Sequence, residues 1–450
     1  MNRTDIPALD APPAEGPHPT LGARHVAAIV VGIVIGAGIF RTPSLVAGVA
    51  GSEEAFLVAW LAGGILSIIG ALCYAELAAA FPSAGGDYHF LSRAFGRRLG
   101  FLYAWARLSV IQTGSLTLLA FLFGDYASEL LPLGPQGPAI YAAAAVIALT
   151  AINWIHVRQG TGSQLWLTVV EVLGLLTLIA AGFLIAPTPS GAAAPPAESS
   201  VGLMMVFVLL TYGGWSEGAY MSAELRGGRR RIATVLVASL GLVTLLYLLV
   251  NFAYIRALGL GGIAGTDVVA ADLAERAAGS GGAVLISFLV AVSALTSANG
   301  TSITGARTTY ALGSSFAQLG WLGRWSPGGH TPRNALLVQG AIALLLIGAG
   351  AFARDGFRMA VEYTAPVFWL FLLLVGISLF VLRRREPEAE RPFRVPLYPV
   401  LPIIFCLTSA YLLYSSIAYT GTSALVGVAV LAVGALLLLF LRPSDQETRS

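Results

Sequence analysis

The sequence predicts an all-α polytopic membrane protein with about 12 transmembrane helices, arranged as a five-plus-five inverted repeat followed by two C-terminal spans. Three observations support this fold class. Of the 450 residues, 56% are hydrophobic and only 11% are charged. Apolar stretches of about 20 residues, the length that crosses a hydrocarbon core of roughly 30 Å, recur almost from end to end. Two of these stretches, five apart in order, contain closely spaced glycines.

The apolar stretches are too long for the strands of an outer-membrane barrel, and only a helix satisfies its backbone polar groups within one span. Loops rich in Pro, Gly and charge separate them. We expect a disordered cytoplasmic tail at residues 1–23, a first repeat at 24–186, a second repeat at 201–385, the last two spans at 397–442 and a second cytoplasmic tail at 443–450. The predicted spans are Arg24–Gly48, Phe56–Phe81, Leu99–Gly124, Pro138–His156, Ser163–Ala186, Val201–Ala223, Ile232–Ala257, Gly282–Leu312, Asn334–Phe352, Phe357–Leu382, Leu397–Tyr419 and Ser423–Leu441.

Arginine is concentrated in the connections that follow the even-numbered predicted spans, and all 26 basic residues of the chain are Arg. Cytoplasmic loops carry an excess of basic residues, so both termini are expected on the inner side of a cytoplasmic membrane. We interpret the Arg clusters as a topology signal and not as a nucleic-acid surface. The residues concerned are Arg93, Arg97, Arg98, Arg158, Arg226, Arg229, Arg230, Arg231, Arg324, Arg333 and Arg383 to Arg385.

The first and sixth predicted spans are interrupted by glycine. VGIVIGAGIFRTP in the first span contains Gly32, Gly36 and Gly38. TYGGW in the sixth span contains Gly213 and Gly214 side by side. Broken helices at corresponding places in two halves of a chain indicate an inverted repeat with a binding site near the bilayer midplane. Close helix packing through small residues is the alternative interpretation, and the matched placement of the two breaks makes it the less favoured one.

Breaks of this kind suit a zwitterionic ligand. Freed N–H groups and the positive dipole end of a half-helix can hold a carboxylate, and freed carbonyls can accept hydrogen bonds from an ammonium group. The predicted ligand-binding residues are Ala37, Gly38 and Ile39 for the carboxylate, Val34, Ile35 and Leu210 for the ammonium, and Thr211, Gly213 and Trp215 beside them.

Six motifs, taken in order, resemble the amino acid–polyamine–organocation superfamily and, within it, the L-type amino acid transporter branch. They are GAGIF in the first span, FPSAGGDYHFLSRAFG after the second, FLYAWARL in the third, TYGGW with a following AEL in the sixth, SALTSANG in the eighth and RPFRVPLYPVLP before the eleventh. The resemblance implies the inverted-repeat fold, alternating access and amino acids as the substrate class. It also implies that spans one and six hold the substrate backbone, while spans three, eight and ten shape its side-chain pocket.

The sequence departs from the pattern of that family at three places. Leu210 stands where many members carry a gating Phe, and Glu171 stands where many bacterial members carry a Lys. The loop after the third span lacks the Cys through which some members pair with a heavy chain, and Cys73 and Cys406 both lie within predicted spans. We therefore expect no disulfide-linked heavy chain.

Glu171 and Glu217 are the candidate residues for ion or proton coupling. A carboxylate at membrane depth is energetically costly and usually carries a proton, an ion or a substrate. Protonation of Glu171 would remove its charge and could favour one side of alternating access. A permanently protonated or hydrogen-bonded structural Glu is the alternative.

No enzyme chemistry is indicated by the remaining residues. The absence of Lys excludes a phosphate-binding loop of the Gly-Lys type. No metal is expected, because the His residues show no metal-ligand spacing. They are His18, His25, His89, His156 and His330. No cofactor or nucleic acid is expected either.

The sequence thus predicts a secondary active transporter that moves amino acids across the cytoplasmic membrane, by proton symport or by amino-acid exchange. Neutral substrates are favoured, because the small Ala37 and the missing aromatic at Leu210 leave room for a sizeable neutral side chain. A cationic amino acid or polyamine is the alternative, since Glu171 and Glu217 could offer negative charge near the site.

Overall fold

A computed structural model describes residues 22–83, 85–155, 161–187, 200–220, 230–324, 332–353, 355–418 and 422–440. Within these ranges the chain forms 16 α-helices and no β-strand. The helices are α1 (Ala23–Ile35), α2 (Thr42–Ala47), α3 (Glu53–Ala80), α4 (Asp87–Phe95), α5 (Arg97–Ala106), α6 (Gln112–Leu130), α7 (Gly137–Ile155), α8 (Thr161–Leu184), α9 (Val201–Thr211), α10 (Trp215–Tyr220), α11 (Arg231–Ala264), α12 (Val269–Ser315), α13 (Arg333–Ala351), α14 (Gly356–Arg385), α15 (Val400–Ala418) and α16 (Thr422–Leu437).

The prediction of an all-α polytopic membrane fold is confirmed. In the part of the chain that the structure describes, nine helical stretches are long and apolar enough to cross a bilayer. Three shorter apolar helices, Val26–Phe40, Thr168–Leu184 and Thr422–Leu437, account for the remaining predicted spans. The inverted relation between the two halves stays a prediction. Both predicted tails, apart from residues 22 and 23, lie outside the described ranges, as do the predicted span ends His156, Ala223, Tyr419 and Leu441.

Three predicted spans are interrupted. The first consists of α1 and α2 with a 3-10 turn, Ala37–Phe40, between them. The third consists of α5 and α6 joined by a π-helical turn, Arg107–Ile111, which the sequence analysis did not predict. The sixth consists of α9 and α10, separated by Tyr212, Gly213 and Gly214. A π-helical turn inside a helix often marks a functional position.

The connection predicted between spans seven and eight is largely helical. We expected those spans to end at Ala257 and to begin again at Gly282, but α11 and α12 extend into the connection. The helix axis changes direction at Gly259 (φ 68°) and at Gly279 (φ 69°), a backbone conformation that glycine adopts at little cost. Glycine in this stretch therefore marks kinks, and the helices resume on either side of them.

Small residues bring the helices into close contact. A Cβ atom at Gly64 of α3 would lie 2.3 Å from Thr244 Oγ1 of α11, and one at Gly63 would lie 2.4 Å from Val208 Cγ1 of α9. Lipid tails are as apolar as the side chains themselves, so helix association in a membrane depends on close packing of this kind. The packed helices place α9, the first half of the sixth span, against α3.

One end of the bundle carries Arg93, Arg97 and the arginines at the end of α14, and we call it the Arg-rich end. Glu76, fully buried at the end of α3, accepts hydrogen bonds there from Arg383 Nε at 2.7 Å and from the Val395 N–H at 2.7 Å. On the surface nearby, Arg93 donates two hydrogen bonds of 2.7 Å to Glu386 and holds the pKa of that carboxyl below its usual value. These charge-assisted bonds fix the connection between α14 and α15 to the bundle.

Candidate functional site at the two helix breaks

The first break follows from the backbone of Gly36. Helix α1 ends at Ile35 because Gly36 adopts φ 27° and ψ 172°, which a residue with a side chain rarely does. The 3-10 turn Ala37–Phe40 follows, and α2 then begins at Thr42 with Pro43 in its first turn. The first N–H groups of a helical turn have no partner inside that turn, so the break presents donors at residues 37–39.

The second break lies at Gly214, which adopts φ 94° between α9 and α10. The Gly213 N–H donates to the Leu210 carbonyl at 3.0 Å and closes the end of α9. The Glu217 N–H donates to the Gly214 carbonyl at 3.1 Å and opens α10. The paired glycines predicted from TYGGW therefore do interrupt the helix.

The two breaks face each other. A Cβ atom at Gly38 would lie 3.2 Å from Thr211 Cγ2, at the end of α9. A Cβ atom at Gly214 would lie 2.5 Å from Ile33 Cγ2, near the end of α1. The close approach of the opposite segment thus requires glycine at position 214 and leaves little space beside Gly38. Residues that are more than 170 positions apart in the chain form one site.

The hydroxyl of Tyr247, on α11, connects the two breaks. It lies 2.8 Å from the Val34 carbonyl oxygen, 3.1 Å from that of Ile35 and 3.5 Å from that of Thr211. A tyrosine hydroxyl has a single proton to donate, so these carbonyls share it. Tyr247 is fully buried, and its ring packs edge-to-face against Trp60 and at a tilt against Tyr212, with ring centroids 5.6 and 4.9 Å away. An ammonium group at Val34 or Ile35 would therefore meet a carbonyl that already has one partner and one remaining lone pair.

The predicted ligand-binding residues come together around the breaks. Most of these residues are buried, and their side chains pack into the core. Relative exposures of the buried residues are Ile35 0%, Ile39 0%, Val34 2%, Trp215 6% and Thr211 9%. Leu210, Gly38 and Gly213 are partly exposed. Ala37 begins the 3-10 turn.

Glu171 lies on α8 and is 8% exposed. One carboxyl oxygen accepts a hydrogen bond of 2.5 Å from the Ser293 hydroxyl of α12, and the other has no partner among the described residues. Helix α8 passes next to the first broken span, because a Cβ atom at Gly32 would overlap Thr168, one turn before Glu171. The sequence analysis did not predict the Ser293 contact.

Glu217 is separate from Glu171 and forms an ion pair with Arg107, the first residue of the π-helical turn. The Arg107 Nη2 atom lies 2.8 Å from Glu217 Oε1. Arg107 also donates to the Tyr103 hydroxyl at 3.0 Å, and Tyr103 donates to Asp87 at 3.1 Å. The two predicted coupling residues therefore belong to different parts of the bundle, and only Glu217 has a cationic partner in these contacts.

A second charge cluster, centred on a buried arginine, lies at the end opposite the Arg-rich end. Arg41 follows the 3-10 turn directly, and its side chain is 2% exposed. Its guanidinium contacts three carboxylates: Asp355 at 2.7 Å, Asp267 at 2.5 Å and Asp125 at 3.6 Å. They come from the N-cap of α14, the connection between α11 and α12, and α6. We call these four residues the Arg41 cluster.

The sequence analysis missed Tyr247 and the partners of Arg41 and Arg107. Arg41 had a visible signal, since it directly follows GAGIF. Tyr247 had none, because it is one of 15 tyrosines in an apolar chain. Among the described residues no group of three or more His, Cys, Asp or Glu could hold a metal ion.

The sequence of the whole chain decides the family to which this site belongs. The family model described as amino acid permease matches residues 21–440. The chain belongs to this amino acid permease family. The permease is therefore a multi-pass membrane transporter and not an enzyme, as predicted.

Named relatives of the permease are amino acid transporters. It is 31% identical to the mouse b(0,+)-type amino acid transporter 1 over 400 residues, which cover 86% of this chain and 80% of that protein. It is 29% identical to the mouse large neutral amino acids transporter small subunit 2, over 92% of this chain and 79% of that protein. It is 27% identical to the serine/threonine exchanger SteT of Bacillus subtilis, over 92% of this chain and 95% of that protein.

Proposed function

We propose that this permease exchanges neutral amino acids across the cytoplasmic membrane by alternating access. The observation that supports this most is the pair of facing breaks in the first and sixth spans. They put freed N–H groups of residues 37–39 beside the carbonyls of Val34 and Ile35, which are the groups that a zwitterion needs. In this proposal the substrate carboxylate binds at Ala37–Ile39, and its ammonium shares the Val34 and Ile35 carbonyls with Tyr247.

Neutral side chains are favoured by the charges around the site. Glu217 is neutralised by Arg107 at 2.8 Å, and one carboxyl oxygen of Glu171 accepts a hydrogen bond from Ser293. The carboxylate on the half-helix of the second break therefore has its own counter-charge. Exchange is favoured over net uptake because the named relative that matches the largest share of its own length is a serine/threonine exchanger.

The architecture that we propose for this mechanism is the predicted inverted repeat of residues 24–186 and 201–385, with both termini in the cytoplasm. The Arg-rich end then faces the cytoplasm and the Arg41 cluster faces outward. With the Arg41 side chain buried, the outer end is closed. We also propose that the permease works without a disulfide-linked heavy chain, because its free cysteines lie inside α3 and α15.

The test is counterflow in proteoliposomes that contain only the purified permease. Labelled serine or leucine is added outside vesicles preloaded with one unlabelled compound: serine, leucine, alanine, arginine or putrescine. The proposal predicts accumulation of label with the neutral amino acids and none with putrescine. Accumulation of label only in vesicles preloaded with arginine or putrescine would mean that neutral amino acids enter in exchange for cationic substrates, and it would contradict exchange among neutral amino acids. Equal accumulation of label in vesicles that contain no preloaded substrate would contradict exchange.

A further inference from the structure

The ion pair between Arg107 and Glu217 lies one helical turn beyond the second break. Glu217 is in the first turn of α10, and its own N–H donates to the carbonyl of Gly214 at 3.1 Å. Arg107 reaches it from the π-helical turn of the third predicted span. The pair thus joins the half-helix that carries one side of the candidate site to the span that packs across from it.

The Arg107–Glu217 pair is partly exposed to solvent. The Glu217 side chain is 34% exposed and that of Arg107 is 12% exposed, although both lie between helices. By contrast, the Arg41 side chain at the opposite end is only 2% exposed. The charge of Glu217 is therefore accessible to solvent one helical turn from the second break.

Arg107 stands between two carboxylates. It donates to Glu217 directly, and it donates to the Tyr103 hydroxyl, which in turn donates to the buried carboxylate of Asp87. Among the described residues, Arg107 is the one cation in an ion pair with Glu217, so loss of the guanidinium would leave this carboxylate without that partner. A partly buried carboxylate that loses its ion-pair partner is destabilised, and an incoming cation would relieve this cost.

We propose that Arg107 determines the charge selectivity of the permease by neutralising Glu217 next to the substrate side chain. This inference rests on the proposed function and specifies its substrate class. An uncharged side chain leaves the pair intact. A cationic side chain meets the guanidinium of Arg107 and can bind only where that guanidinium is displaced. Rejection of the wrong substrate by a like charge is a common source of specificity.

The experiment measures how well arginine and glutamate inhibit counterflow of labelled serine in proteoliposomes. In the wild type both should inhibit weakly. In Arg107→Gln the half-inhibitory concentration of arginine should fall about tenfold or more, a change that corresponds to ~1.4 kcal/mol. Adding Glu217→Gln to that variant should reverse most of the gain, which a purely structural role of Arg107 would not do. Arg93→Gln, which breaks an Arg–Glu pair at the surface, is the matched control and should leave both inhibition curves unchanged.

Glu217→Gln alone makes the opposite change in charge, because it removes the negative partner of the pair. It tests the inference even if Arg107→Gln does not fold. It leaves the guanidinium in place, so glutamate should inhibit several-fold better and arginine no better than in the wild type. Unchanged selectivity in whichever of the two single variants still exchanges serine would overturn the inference. Failure of the proposed function is separate, because it shows in the wild type itself as an absence of neutral amino-acid exchange.

Discussion

At the scale of single residues, the candidate site depends on buried polar groups whose partners lie far away in the chain. The hydroxyl of Tyr247 lies within 3.5 Å of three backbone carbonyls, and Glu171 has one hydrogen bond for two oxygens. Such groups are costly to bury unless they are satisfied, so each is a place where a small change has a large effect. The spacing of apolar residues says nothing about either contact, since the partners lie 213 and 122 positions away.

Tyr247→Phe should destabilise the permease and weaken substrate binding. The substitution keeps the ring and removes the only side-chain donor to the Val34 and Ile35 carbonyls among the described residues. An unmade buried hydrogen bond costs roughly 1–3 kcal/mol. A fall in Tm of several degrees and a loss of amino-acid-dependent stabilisation are expected in a thermal-shift assay. Tyr254→Phe is the matched control, because that buried hydroxyl, on the same helix, has no partner in the described residues. Equal effects of the two substitutions would mean that the hydroxyl of Tyr247 does not hold the breaks.

Glu171→Gln tests proton coupling. Glutamine imitates the neutral, protonated carboxyl group, so the variant should keep counterflow and lose any acceleration of uptake by an inward proton gradient. The measurement pairs counterflow, with substrate on both sides, with net uptake at several external pH values. Ser293→Ala, which removes the contact at 2.5 Å but keeps the carboxyl group, should retain a pH response. Full pH-dependent accumulation by Glu171→Gln would show that Glu171 is structural.

At the scale of helices, the sequence predicts the spans well and their irregularities unevenly. Apolar length alone finds the membrane helices, because the bilayer imposes that length. Paired glycines mark both breaks, since only glycine adopts the backbone of Gly36 and Gly214 at little cost. The same reasoning predicts a loop around Gly259 and Gly279, where the helices continue after a kink. It also gives no signal for the π-helical turn, which contains neither Gly nor Pro.

Gly38→Val should abolish substrate binding while leaving insertion and folding nearly intact. A Cβ atom there would already lie 3.2 Å from Thr211 Cγ2, and the two methyl groups beyond it would fill the space in which the carboxylate is proposed to meet the backbone. Thermal-shift assays with amino acids should show an unchanged Tm without ligand and no ligand-induced rise. Gly48→Val is the matched control: it is the residue directly after α2, it is exposed, and a Cβ atom there would make ordinary contacts of 3.5 Å. Ligand stabilisation at the wild-type level in Gly38→Val would remove the first break from the site.

At the scale of the whole molecule, the two ends of the bundle differ in their charged residues. Arginines gather at one end, and at the other a single buried Arg41 holds three aspartates from distant elements. The first feature is visible in the sequence as an excess of Arg in alternate connections. The second is not, because the aspartate of α14 is 314 positions from Arg41. Composition therefore predicts orientation, whereas only the fold shows which connections are tied together.

The orientation can be tested by cysteine labelling with a membrane-impermeant thiol reagent. Single cysteines at Ser52, Glu129 and Ser199 should react from outside the cell, and those at Arg98, Arg230 and Glu388 only after permeabilisation. The background should lack Cys73 and Cys406, which lie in the spans. One misplaced pair would revise the number of spans between its members. Two misplaced pairs would be incompatible with the proposed inverted repeat.

Arg41→Gln should open the end of the permease that carries the Arg41 cluster. The substitution leaves Asp125, Asp267 and Asp355 close together without their cation. Removal of one partner from a fully buried ion pair costs roughly 3–5 kcal/mol, and the cost here is smaller because the Asp267 side chain is 70% exposed. That cost falls only on the closed arrangement, so the equilibrium shifts towards the open one; a shift of about 5.5 kcal/mol would turn a 1:99 population into 99:1. Ser44→Cys, in the buried first part of α2, is a near-isosteric reporter for this opening.

An impermeant thiol reagent added from outside should label the Ser44→Cys reporter at least about tenfold faster in the Arg41→Gln background, given the size of that energy difference. Arg93→Gln is the control, because its ion pair with Glu386 lies at the Arg-rich end and is exposed. Breaking it should leave the labelling rate unchanged. If labelling is equally slow in all backgrounds while the Arg41→Gln protein is folded and exchanges substrate at the wild-type rate, the cluster does not hold this end closed. If substrate suppresses the faster labelling, opening of this end depends on whether the two breaks are occupied. The reason is that a ligand shifts an equilibrium only by its difference in affinity for the two states.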